Sequence, residues 1–132
     1  MPALEQSLLR QWRQSFDDRS PIYRQIILLF SQAFVRGDIM PGERIPSIRE
    51  MSAMLKVNTN TMQRVYLEME KDAMISSRRG TGYFFTEDYQ MIEKTRQVLA
   101  FGSQRRFMEE MRAIGCADRE ILKSLKLFIE GE

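Results

Sequence analysis

Histidine is absent from the 132 residues, and cysteine occurs once, at Cys116. Without histidine the chain lacks the commonest general base and the commonest metal-binding side chain. A single cysteine excludes an internal disulfide and any cysteine-rich zinc site. A reducing, cytoplasmic compartment is the expectation. No stretch approaches the ~20 apolar residues of a membrane span, and the densest run covers only Ile26 to Phe30. A signal peptide's apolar core is missing too, because Glu5 and Gln6 follow Leu4 and then Arg10 and Arg13 intervene. Neither a nucleophile–base pair nor a metal cluster stands out, and Glu68, Glu70 and Asp72 read as a helix surface. The sequence therefore predicts no catalytic residues, no metal and no cofactor. The length excludes a two-domain dinucleotide enzyme or a complete barrel.

What is present is a globular composition, 43% hydrophobic and 29% charged, which is enough to bury a core. The net charge of +2 is small, but its placement is uneven. Residues 44–64 carry Arg44, Arg49, Lys56 and Arg64 against Glu50 alone, and Arg78 and Arg79 form a second basic point. Residues 1–20 and 88–132 are each balanced. A locally basic surface on a balanced chain is either an ordinary solvated face or a site for an anionic partner.

Apolar periodicity places a short helix at 4–16 (Leu4, Leu8, Leu9, Trp12, Phe16) and another from Pro21 to Arg36, started by Ser20-Pro21 and stopped by Gly37. After the Pro41-Gly42 turn, Arg44-Ile45 has the composition of a short strand. Ser47 and Glu50 match a capping box opening a two-turn helix. Lys56-Val57-Asn58 reads as a tight turn, with Asn58 capping a helix whose buried stripe is Met62, Val65, Tyr66, Met69 and Ala73. Two strands, 74–77 and 83–86, flank the basic turn Arg78-Arg79-Gly80-Thr81-Gly82. A long helix follows to about residue 114, with Gly102 as a weak point. Gly115 ends it, and Asp118 is placed to cap a last amphipathic helix.

Two helices joined by a tight turn, followed by a hairpin with a basic tip, give the order of a winged helix-turn-helix. The major groove of DNA admits one helix, and residues at that helix's start meet the base edges. Asparagine and glutamine can pair with adenine in two-point fashion, and threonine offers a hydroxyl and a methyl. Arginine beside glycine suits a phosphate track or a narrow minor groove. Caps and turn formers explain Ser47, Asn58, Gly80 and Gly82 equally well one by one. The coincidence of these features within about 45 residues, in this order, is what favours double-stranded DNA as partner. On this reading Arg64 and Arg78 belong to the DNA-facing set.

Several linked motifs also resemble a known family. They are Pro21-Ile22-Tyr23-x-Gln25-Ile26, Gly37-x-Ile39-x-Pro41-Gly42-x-Arg44-Ile45-Pro46-Ser47-Ile48-Arg49-Glu50, Val57-Asn58-x-Asn60-Thr61 and Arg78-Arg79-Gly80-x-Gly82. Together they are similar to the DNA-binding domain of the GntR family of bacterial transcriptional regulators over about residues 21–86. The Val57 turn and the short helical tail resemble its YtrA subfamily. The resemblance implies DNA contacts by Arg49, by Asn58, Thr59, Asn60, Thr61 and Gln63, and by Arg79-Gly80. Thr59 and Gln63 stand where many relatives carry other residues, so base preference is not inherited. Too few residues follow Thr86 for the larger effector-binding domain of other subfamilies.

The expected fold is mainly α: a winged helix-turn-helix with a two-stranded β wing, plus a C-terminal two-helix dimerisation tail. The expected divisions are an N-terminal helical extension at 1–19, a DNA-binding domain at 20–87 and a tail at 88–132. Val98, Leu99, Phe101, Phe107, Met108, Met111, Leu122, Leu125 and Phe128 would leave an apolar patch on a monomer, so they are assigned to a homodimer interface. The functional expectation is a dimeric repressor on an inverted-repeat operator. The alternative is a winged-helix protein-interaction module without DNA binding. A small-molecule effector, if one acts, is expected between tail and winged helix or at the dimer seam.

Overall fold

The structure is a computed structural model and describes residues 4–131. The outermost ends of the expected extension and tail, residues 1–3 and 132, lie outside the described residues. Six helices and three strands follow in the order α1 (Gln6–Ser15), α2 (Ile22–Arg36), β1 (Arg44–Ile45), α3 (Ile48–Leu55), α4 (Thr59–Lys71), β2 (Ile75–Arg78), β3 (Gly82–Phe85), α5 (Tyr89–Ala113) and α6 (Asp118–Gly131). The chain forms two compact units that divide within α5, between Arg96 and Gln97.

The first unit is the winged helix-turn-helix. Its core is built around Phe30 of α2. Phe30 lies edge-on to Trp12 of α1 at 5.0 Å and to Tyr66 of α4 at 6.3 Å, and tilts against Phe85 of β3 at 6.1 Å. Ile26, Met51, Leu55, Met62, Val65 and Met69 fill the space between these rings. The 4–16 helix is therefore part of this core: Leu9 and Trp12 are buried, and Arg13 of α1 donates to the Met54 carbonyl near the end of α3 at 3.2 Å.

Local signals set most boundaries. Gly37 ends α2 at φ +90°, in the left-handed region that glycine enters without a Cβ penalty. Ser47 and Glu50 form the reciprocal capping box. Two expected features differ. The Ser20 hydroxyl does not cap α2; Pro21 takes the N-cap position without a side-chain cap bond. The Gln25 side chain instead ties the link between α1 and α2, accepting from the Asp17 amide and donating to the Asp17 and Ser20 carbonyls. Ala73 is exposed rather than part of the buried stripe. After α4 ends, the chain turns through Ala73 at φ +59°, which points its methyl group outward and sends Met74 into the core.

The wing is larger than a hairpin. β3 lies between β1 and β2, antiparallel to both, with Arg44 opposite Phe84 and Ile75 opposite Phe85. The two-residue strand at Arg44-Ile45 thus completes a three-stranded sheet.

The second unit holds the rest of α5, which runs unbroken through Gly102, and α6. Gly115, at φ +88°, turns the chain between them. Asp118 is the first residue of α6 rather than its cap. Its carboxylate receives both Arg112 Nε and Nη2 at 3.0 Å, while the Ala117 amide donates to Glu120 Oε1 at 3.0 Å. Ile121 is buried. A cleft of about 480 Å³ lined by Phe107, Met108, Leu122 and Leu125 runs between the helices.

Candidate nucleic-acid interface

The turn between α3 and α4 is made without glycine. Lys56 takes φ +56°, a left-handed conformation, and the Val57 amide closes onto the Ser52 carbonyl at 3.0 Å. This reversal brings Asn58 to the start of α4. Its Oδ1 accepts from the Asn60 amide at 2.7 Å, so one end of that side chain is committed to the cap. The amide nitrogen of Asn58 remains a free donor among the described residues. Thr59, Asn60, Gln63 and Arg64 are exposed and Thr61 is half-buried. The stripe below them, Met62, Val65, Tyr66 and Met69, is wholly inside. Burial of one face therefore fixes which side chains the first turns of α4 present to solvent.

Tyr66 locks α4 to the loop before α3. Its hydroxyl donates to the Pro46 carbonyl at 2.6 Å. Burial pushes the phenol's pKa far above its ordinary value, helped by Tyr83 and Glu50, so the group is a neutral donor. Glu50 is the acidic exception in this basic stretch. Its carboxylate accepts from the Ser47 amide at 3.0 Å, and the Ser47 amide and hydroxyl hold its pKa below the ordinary carboxylate range, with Arg44 adding to the effect. The neighbouring Arg49 is exposed, and no ion pair holds it among the described residues.

At the wing tip, the Thr81 amide donates to the Arg78 carbonyl at 3.0 Å and Gly80 sits at φ +77°. The basic residues here have different duties. Arg78 lies over the Phe84 ring at 4.2 Å. Arg44, on β1, donates from Nε to the Thr81 carbonyl at 2.8 Å and so props the tip from the adjacent strand. Gly82 sits at φ +113°, a conformation that side-chain-bearing residues rarely adopt, and a Cβ there would also come within 3.1 Å of that Nε. Arg79 is exposed and carries no side-chain bond among the described residues. Arg64 is not free in the way Asn60 is: its guanidinium lies 3.8 Å from the centroid of the Tyr23 ring and donates to the Tyr23 hydroxyl at 3.1 Å.

Sequence reasoning missed two of these positions as site residues, Arg44 and Tyr23. The signal for Arg44 was its place in a possible strand, but pairing with a strand about 40 positions later has no local signature. Arg49, the α4 start, the wing tip and the Arg64–Tyr23 pair all belong to the first unit. In the second unit Val98, Phe101, Leu122 and Phe128 are largely exposed, Leu122 at 72% and Phe128 at 66%. Leu125 is just exposed, and Phe107, Met108, Met111 and Leu99 are half-buried.

No group of three or more cysteine, aspartate or glutamate side chains suited to a metal occurs among the described residues. Among them, no helix is long and apolar enough to cross a membrane.

Comparison with known proteins agrees with this architecture. The family described as "Bacterial regulatory proteins, gntR family" matches residues 22–85. An HTH-type transcriptional regulator of Bacillus subtilis, YhcF, is 36% identical over 116 residues, covering 88% of this chain and 96% of its own length. The HTH-type transcriptional repressor YtrA of the same organism is 36% identical over 74 residues, 54% of this chain and 57% of that protein. Among solved structures, a GntR family transcriptional regulator from Listeria monocytogenes superposes with a TM-score of 0.79 at 36% identity, over 84% of this chain and 97% of that one. The match to YhcF over most of both chains, added to the winged unit's own geometry, places this chain in the GntR family of bacterial transcriptional regulators, which are not enzymes.

Proposed function

We propose that the protein is a cytoplasmic, homodimeric repressor that binds an inverted-repeat operator in double-stranded DNA. The observation that carries the reading is the unengaged polar start of α4. Thr59, Asn60 and Gln63 are exposed side chains with base-reading chemistry, held in place by a buried stripe and two helix caps. Arg49, Asn58 and Thr61 extend this face, and Arg64, Arg78, Arg79 and Gly80 supply contacts to the sugar–phosphate backbone. Phosphate contacts set position and base-edge contacts set sequence preference. The repressor assignment draws on the name of the B. subtilis relative YtrA.

The tail, residues 88–132, supplies the dimer. The exposed apolar side chains Val98, Phe101, Leu122 and Phe128 are costly on a monomer, and a two-fold partner removes them from water. Leu99, Phe107, Met108, Met111 and Leu125 line the same seam. Residues 4–19 brace the DNA-binding domain of residues 20–87, through Leu9, Trp12 and Arg13 of α1.

DNase protection of duplexes selected by the protein from a random pool tests the function. Two protected half-sites on one face of the helix, about 34 Å apart or a multiple of it, are expected. Inserting five base pairs between them turns one half-site to the opposite face and should abolish tight binding. Binding to a protein with no DNA affinity at any salt concentration would instead establish the interaction-module alternative.

A further inference from the structure

The phenol oxygen of Tyr23, near the start of α2, receives two guanidinium donors. Arg24 Nε donates to it at 3.0 Å and Arg64 Nη2 at 3.1 Å. A tyrosine hydroxyl donates one proton and accepts at its oxygen. The oxygen here accepts from both arginines, and among the described residues nothing accepts its proton. Arg64 is further fixed by lying over the Tyr23 ring at 3.8 Å, while Arg24 is 5.7 Å from the ring centroid. Two positive groups thus converge on one oxygen, and among the described residues no carboxylate pairs with either. The first turn of α2 also carries no acidic residue. Like charges brought together without a counter-ion, around a donor without an acceptor, are what an oxyanion completes.

We propose that Tyr23, Arg24 and Arg64 form a seat for one backbone phosphate of the bound duplex, built jointly by the start of α2 and the exposed face of α4. The inference rests on the DNA-binding reading above, because Arg64 reaches the seat from the exposed face of the recognition helix. The seat links that helix to α2. Tyr23 therefore acts as a positioning residue for Arg64 as well as a donor in its own right. It holds the guanidinium against the backbone and away from the base edges, which leaves Asn60 and Gln63 to read sequence.

The test uses the full chain with a duplex that it selects from a random pool, alongside an unselected duplex of equal length. Arg24→Gln should weaken both complexes about tenfold and lower the slope of log K against log salt by ~0.9, the value for one phosphate no longer neutralised. Tyr23→Phe keeps the ring but removes the hydroxyl. It should weaken both complexes by about threefold to tenfold, as for one hydrogen bond, without changing base preference. Arg24→Lys should restore the salt slope. Single methylphosphonate substitutions flanking the half-site should include one that weakens the native complex but leaves Arg24→Gln unchanged. Melting curves equal to native establish that the variants fold. If the native chain selects a duplex and both Arg24→Gln and Tyr23→Phe bind it with native affinity and slope, the seat is wrong while the DNA reading stands. If the native chain selects no duplex at all, both fall together.

Discussion

Asn60 and Arg79 differ in how their surroundings hold them, and the difference dictates separate effects on binding. Asn60 sits in the first turn of α4, where its amide is fixed by Asn58 and its side chain is free. Asn60→Ala should change which bases are preferred, at ~1–3 kcal/mol for each two-point base pairing removed. Arg79 sits on a glycine-containing tip propped by Arg44. Arg79→Ala should weaken binding to all sequences alike and flatten the salt dependence by about one phosphate's worth. Titrations on selected and random duplexes at several salt concentrations separate the two; equal losses on both duplexes from both variants would falsify the division. Ser52 presents a stability question instead. Its hydroxyl is buried in α3 with no partner among the described side chains. A buried hydroxyl left unpaired costs free energy, so Ser52→Ala should raise stability by about 1 kcal/mol in denaturant titration without altering DNA affinity.

At the level of elements, the short α3 depends on its first turn. Glu50's folded-state pKa is held below its unfolded value by Ser47, so the stability it contributes is present above the ordinary carboxylate range and is lost as pH falls through the folded value. The melting temperature of native protein and Glu50→Gln should therefore differ at pH 7 and converge only as pH falls below the ordinary carboxylate range and through the lowered folded value; a difference that stays constant with pH would remove the carboxylate from the account. This capping box was legible in the sequence because both partners lie three residues apart, and so was the Asn58 cap. The helices were legible because burial imposes a period of about 3.6 residues. The Lys56 turn was recognisable by length alone, since no glycine marks its left-handed residue. β1 joining the wing, Trp12 meeting Phe30, and Arg64 lying on Tyr23 link residues far apart in the chain, and no local rule encodes such pairings. Ser20 misled for the opposite reason: its hydroxyl and the following proline form a valid local signal, overridden when Gln25 took the adjoining backbone.

For the whole molecule, the proposed homodimer places assembly in the tail. Leu122 and Phe128 are polar-tolerant positions in a monomer, because both side chains already face water. Leu122→Glu combined with Phe128→Glu should leave the first unit folded and convert a dimer to a monomer in light scattering, with operator affinity falling toward the single half-site value. A double variant that remains dimeric would move the interface to another surface, and α1 would be the next to test. In the proposed dimer both half-sites are held through the same two tails, so monomerisation should also remove the penalty for a five-base-pair insertion.

Trp12 is the single tryptophan in the chain, and it is 3% exposed against the edge of Phe30. It makes the protein its own optical probe, and a spatially selective one. Indole emission will report only on the first unit, starting blue-shifted and moving red when α1 leaves α2. Far-ultraviolet ellipticity will weight all six helices, including α6, which contains no indole. A protein whose units unfold together will show superimposable transitions by both signals. One whose tails separate and melt first will lose ellipticity while its emission maximum stays still, and in the proposed dimer that gap will widen on dilution because only the tail's transition would depend on chain concentration.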